Sequence, residues 1–217
     1  MTQSPHFLIL RRRRTDSMNI KIKSVKINIA CVFLILLFVY INFSIYALVI
    51  LACIIIHELG HIILIKLSGF KILNIEITPC GVNIIINGIA PYRTDILIAV
   101  GGPAFNIIAA GIILIVIQGA GNSTALMFAF LTNIIYAALN LFPVTSLDGG
   151  RILACILKIY MPESSARTVF AVISGIFLVL LSLCALFILM LTGYNFSLVL
   201  LCSFLFYTIY FKPMSLR

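Results

Sequence analysis

Five consecutive residues, His57-Glu58-Leu59-Gly60-His61, interrupt a run that is otherwise apolar. On a helix, side chains four apart project from one face, so both imidazoles can reach a single metal ion. Glu58 sits about a third of a turn from His57, where its carboxylate can reach a metal-bound water. That disposition is a zinc site with its general base. The plainer reading is a pair of core histidines hydrogen-bonded to neighbours. Energetics weigh against it. Each ionisable group at membrane depth costs about 2.5–3.5 kcal/mol on insertion scales, and metal coordination compensates three of them at once.

Zinc needs a third protein ligand and an open position. The chain has only six acidic residues. Asp16 lies in the N-terminal tail, Glu76 and Asp95 flank an extended stretch, and Glu163 lies in a charged loop. Asp148 remains, within residues 140–151, NLFPVTSLDGGR. Pro143 ends or kinks the preceding helix, and Gly149 and Gly150 let the backbone turn sharply. A carboxylate on a broken helix can swing towards a site on another helix; its alternative role is to cap the helix that follows. Asn140 is an amide in an apolar span and must find partners. It can bind the substrate backbone, stabilise an oxyanion, or make a helix–helix hydrogen bond. Asn106, in GGPAFN with Gly102 and Pro103, reads as part of a close helix contact that supports the site.

These residues need a membrane scaffold. Of 217 residues 63% are hydrophobic and 10% charged, and the mean hydropathy is +1.22, more apolar surface than a soluble core of this size requires. Seven of the fifteen Lys and Arg precede residue 27, without interleaved aromatics, just ahead of an apolar run. The net charge of +9 therefore reads as juxtamembrane rather than as a nucleic-acid face. The six scattered cysteines, with no CxxC, read as small buried hydrophobes.

The expected fold is an all-α polytopic membrane protein with six spans, near 27–43, 46–67, 95–117, 124–142, 168–191 and 195–211. Residues 72–90, β-branched with Pro79, Gly81 and Gly88, form a short membrane-associated β-hairpin between the second and third spans. Its edge offers a place for substrate to add as a strand. Residues 149–160 form a short interfacial helix. Residues 1–26 are a basic segment, in which 1–17 read as an extension ahead of Met18, and 212–217 are a tail. Both termini are expected in the cytoplasm, because the connections near 44, 118–123 and 192–195 hold no Lys or Arg.

HELGH at 57–61, GGPAFN at 101–106 and NLFPVTSLDGGR at 140–151 together resemble the site-2 protease family of intramembrane metalloproteases, peptidase family M50. The resemblance covers residues 19–211. The compact six-span layout is most similar to the branch typified by bacterial stage IV sporulation protein FB. It implies one zinc ion per chain held by His57, His61 and Asp148, with Glu58 as catalytic base and Asn140 on the substrate. Gly102, Pro103, Asn106, Pro143 and Gly149 are expected to give structural support near the site. The branch implies a membrane-associated sigma-K-like precursor as substrate, inhibitory membrane proteins as partners, and a bacterial cell or forespore membrane. Other substrates known for the family are anti-sigma factors and signal-peptide remnants. The CBS domain common in that branch is not expected here, nor is a PDZ domain or a nucleic-acid partner. A zinc transporter would need more polar residues along the last two spans, and a catalytically dead adaptor would not need Glu58.

Overall fold

The computed structural model describes residues 24–27, 29, 32–33, 40, 44–78, 81–121, 123–193 and 197–211. Most of the first expected span, most of the basic N-terminal segment, and the C-terminal tail lie outside these residues.

The described chain is mostly helical. Its elements run β1 (Ser24–Ile27), α1 (Ile45–Leu67), β2 (Ile72–Thr78), β3 (Gly81–Ile86), α2 (Tyr92–Ala120), α3 (Thr124–Asn140), α4 (Asp148–Tyr160), α5 (Glu163–Thr192) and α6 (Ser197–Phe211). Three segments, Ile45–Leu67, Tyr92–Gly119 and Glu163–Thr192, are long and apolar enough to cross a bilayer. Two further apolar helices are shorter. At 17 residues, α3 is about 25 Å long, because it stops at Asn140, ahead of the Pro143 turn. The six-span expectation is thus met in part: three helices of crossing length, two shorter ones, and a first span that lies mostly outside the described residues.

The extended segment differs from expectation in one respect. It is not a lone hairpin but a three-stranded sheet of order β1-β2-β3. β2 is central, antiparallel to β3 and parallel to β1, which residues 1–26 had been expected to leave as a basic segment. Lys26 pairs in register with Glu76, with their charged ends 3.9 Å apart. Four residues among lysines are too short a pattern to reveal a strand. Ile72, Ile75, Ile84 and Ile86 pack onto Ile62, Ile65 and Ile98, so the sheet is seated on the C-terminal end of α1 and the start of α2.

The helices meet closely where the sequence is smallest. A Cβ added to Gly60 would strike the carbonyl of Gly101, and one added to Gly101 would lie 2.8 Å from the oxygen of Gly60. Backbone contact of α1 with α2 is possible only because both are glycine. The segment between α3 and α4 is pinned from the other side. Val144 is fully buried among Leu178, Leu181, Ala185, Cys202 and Leu205 of α5 and α6. Ser174 donates to the carbonyl of Pro143 at 2.8 Å. The segment turns through Ser146 at φ 76°, the left-handed region that few side chains occupy.

Candidate metal centre

His57 and His61 lie four residues apart on the buried face of α1, both buried. Each ring is fixed from behind. His57 Nδ1 is 2.8 Å from Asn106 Oδ1, and His61 Nδ1 is 2.8 Å from the carbonyl oxygen of Ile98. Both partners are pure acceptors, so each Nδ1 carries the proton and donates it. In the neutral rings Nε2 is then the lone-pair nitrogen, and the two Nε2 atoms face each other at 3.3 Å. This arrangement of acceptors behind the two imidazoles fixes tautomer and orientation together. The ring of Tyr136, on α3, packs edge-on to His57 with centroids 4.9 Å apart.

Asp148 completes the group from another helix. It is in the first turn of α4, and its carboxylate makes no cap. Instead Oδ2 lies 2.9 Å from His57 Nε2, and Oδ1 lies 3.3 Å from His61 Nε2. Oδ2 is buried and has no hydrogen-bond donor. Three lone-pair atoms thus converge with no proton between them, an arrangement that repels itself unless a cation neutralises it. The space beside them is also kept clear. A Cβ on Gly102 would sit 2.5 Å from His61 Nε2 and 2.6 Å from His57 Nε2. Two imidazoles and one carboxylate fit zinc, with a further coordination position left for water or substrate. Among the described residues, these three form the one cluster of metal-binding side chains whose donor atoms lie within 4.8 Å of one another. Glu76, Asp95 and Glu163 are each committed to a Lys or Arg.

Glu58, half-buried, follows His57 on α1 beside the cluster. Asn106 is completely buried and does more than pack: its amide donates to the Cys53 carbonyl at 3.1 Å and to Asn133 Oδ1 at 2.8 Å while holding His57. Pro103 is fully buried within α2. Pro143 and Gly149 act at a remove. Pro143 anchors the loop to α5, and a Cβ on Gly149 would collide with the backbone of Leu141 and Phe142. Asn140 donates back to the Tyr136 carbonyl at 3.0 Å and is not among the groups that touch the histidines.

Two participants had no signal in the sequence, and Gly102 does more than expected: read as part of a close helix contact that supports the site, it also borders the metal-facing nitrogens. Tyr136 looked like any aromatic in a span. Asp95 is not a flank of the sheet: it lies in the first turn of α2, forms an ion pair with Arg151 and accepts from Cys155 Sγ at 3.3 Å. Burial, with Asp95 alongside, pushes the Cys155 thiol up to about 12, so it stays protonated and donates at neutral pH.

Residues 118–184 match the model of peptidase family M50. That match spans Asp148 and its loop. A zinc metalloprotease of Methanocaldococcus jannaschii is 30% identical over 151 residues, which are 64% of this chain and 44% of that protein. The chain therefore spans less than half the length of this curated relative. The solved site-2 protease of the same organism shares the fold, with a TM-score of 0.63, 24% identity, and coverage of 91% of this chain and 94% of that one. By the family match, the curated relative and the shared fold, the chain is similar to the site-2 proteases of peptidase family M50.

Proposed function

We propose that this chain is a zinc-dependent intramembrane endopeptidase that cleaves a membrane-associated protein substrate. The observation that carries the reading is the convergence of His57 Nε2, His61 Nε2 and Asp148 Oδ2 on one buried point beside Glu58. Zinc held by His57, His61 and Asp148 would supply Lewis acidity and would make an attacking water acidic near neutral pH. Glu58 takes the proton from the attacking water at its carboxylate and delivers it to the departing amine. His57 and His61, locked through Nδ1, keep their lone pairs aimed throughout. Asn140 lies one turn from Tyr136 at the end of α3, and its amide oriented there contacts the substrate backbone or the developing oxyanion. Asp148 belongs to the lysine- and arginine-rich side, so water enters from the cytoplasm.

A helical substrate hides its peptide bonds and must become extended before cleavage. Among the described residues β3 pairs on one side with β2, and its outer edge is placed to take the substrate as an added strand. Both termini face the cytoplasm in this reading, since the connections at 118–123 and 192–195 hold no Lys or Arg. The narrower substrate proposal is a sporulation sigma-factor precursor, with inhibitory membrane proteins as partners. It is supported by the likeness of the basic, compact layout to the sporulation branch, the three motifs being those of the wider family. The test is co-expression with candidate membrane-associated precursors, comparing wild type with Glu58→Gln. Cleavage by the wild type alone supports the reading; equal cleavage by both removes it.

A further inference from the structure

The two histidines and Asp148 come from different helices, so something must hold α4 in place against α1. α1 is locked to α2 by the Gly60–Gly101 contact and by the bond from His61 to the Ile98 carbonyl. One turn before Ile98, Asp95 reaches across to α4. One of its carboxylate oxygens takes Arg151 and the other takes Cys155 Sγ at 3.3 Å. Asp148, Arg151 and Cys155 are spaced by three and four, so they share one face of α4. Lys158 extends that face by a further turn and lies over the Tyr92 ring, 5.6 Å from its centroid. The face that presents Asp148 to the histidines is therefore the face that grips the start of α2.

We propose that Asp95 is a positioning residue for the metal centre: by gripping Arg151 and Cys155 it sets where α4 places the Asp148 carboxylate. A single turn of α2, from Asp95 to Ile98, then aims His61 with its carbonyl and Asp148 with its acid. The exposure of the pair fits this role. The Arg151 and Asp95 side chains are 46% and 23% exposed, and half-exposed ion pairs contribute little to stability. Their value here lies in geometry, as with the outer partners of metal ligands generally.

The inference rests on the metal-centre reading above, and its test separates the two. Zinc affinity of the full chain in detergent is measured by chelator competition, without recourse to activity. Asp95→Ala should bind zinc about tenfold more weakly, the lower end of the loss seen when a group that bonds a ligand directly is removed, since Asp95 acts on Asp148 through α4. The charge-swapped double variant Asp95→Arg with Arg151→Asp restores the ion pair but not the Cys155 bond and should recover part of that loss, while the unfolding midpoint of Asp95→Ala stays near wild type; a merely structural role would lower affinity and midpoint together. Affinity for Asp95→Ala within about twofold of wild type, well inside the outer-shell range, or a swap no better than Asp95→Ala, would overturn the proposal. If Asp95→Ala does not fold, Arg151→Gln serves: weaker zinc binding supports the proposal and wild-type binding overturns it. His57→Ala is the control. If it keeps its zinc, the metal-centre reading itself fails; if it loses zinc while Asp95→Ala binds normally, only the positioning role is lost.

Discussion

Asn106 Oδ1 accepts the Nδ1 proton of His57 at 2.8 Å, and this bond selects the imidazole nitrogen that meets Asp148. The amide cannot turn over to do otherwise. Its nitrogen is already spent on the Cys53 carbonyl and on Asn133, and a flipped amide would set an N–H against an N–H.

Asn106→Ala should accordingly weaken zinc binding about 10–100-fold and destabilise the apoprotein by about 1–3 kcal/mol through the buried groups left unpaired. Chelator competition and denaturant unfolding measure the two effects separately.

The ligand assignment makes a sharp distinction among neighbours. Wild-type protein should carry one zinc per chain, while His57→Ala, His61→Ala and Asp148→Ala should each lose it. Glu58→Gln should keep the metal and lose about 10²-fold or more in cleavage rate, as removal of a general base does. Metal analysis alongside a cleavage assay decides this; zinc retained in Asp148→Ala would contradict the assignment.

Gly102→Ala should empty the site without unfolding the chain, because the new methyl would lie 2.5 Å from His61 Nε2. The expected result is low metal content with helical circular dichroism unchanged. Normal zinc content would mean that the ligands gather on a different side of α2.

For the strand edge, Ile85→Pro is the informative change. The Ile85 side chain is exposed, whereas Ile84 and Ile86 pack on the core, so proline there spares the sheet's seat while removing a backbone donor. Cleavage should fall with zinc content unchanged. In Glu58→Gln protein, cysteines placed in β3 should cross-link to residues around the scissile bond; cross-links found only to α5 and α6 would place substrate elsewhere.

Charge placement yields a topological prediction. Reporter fusions after residues 44, 120 and 194 should all report the outside of the cell. A cytoplasmic signal at 120 would break the six-span arrangement.

Much of the site was legible because its chemistry is local. The two histidines and Glu58 lie within one helical turn and a half, and Asp148 stands out in a chain with so few acids. The β2–β3 segment declared itself by β-branched residues between turn formers. What the sequence concealed depends on how apolar helices rotate against one another. α1 and α2 are hydrophobic on all sides, so periodicity does not say which face is inward. Asn106 reaching His57, Gly102 bordering the ligand nitrogens and Asp95 gripping Arg151 are all products of that rotation. β1 was concealed for another reason: its four residues are embedded among lysines, and the partner that makes them a strand lies beyond a whole helix.

The split of the ligands between α1 and α4 makes the ion a participant in the fold's thermodynamics. A cation that binds only when the two helices are docked stabilises the docked form by RT ln(1 + [L]/Kd), about 2.7 kcal/mol at a free concentration a hundred times Kd. Zinc supply therefore bears on how firmly α1 and α4 stay docked as well as on the chemistry.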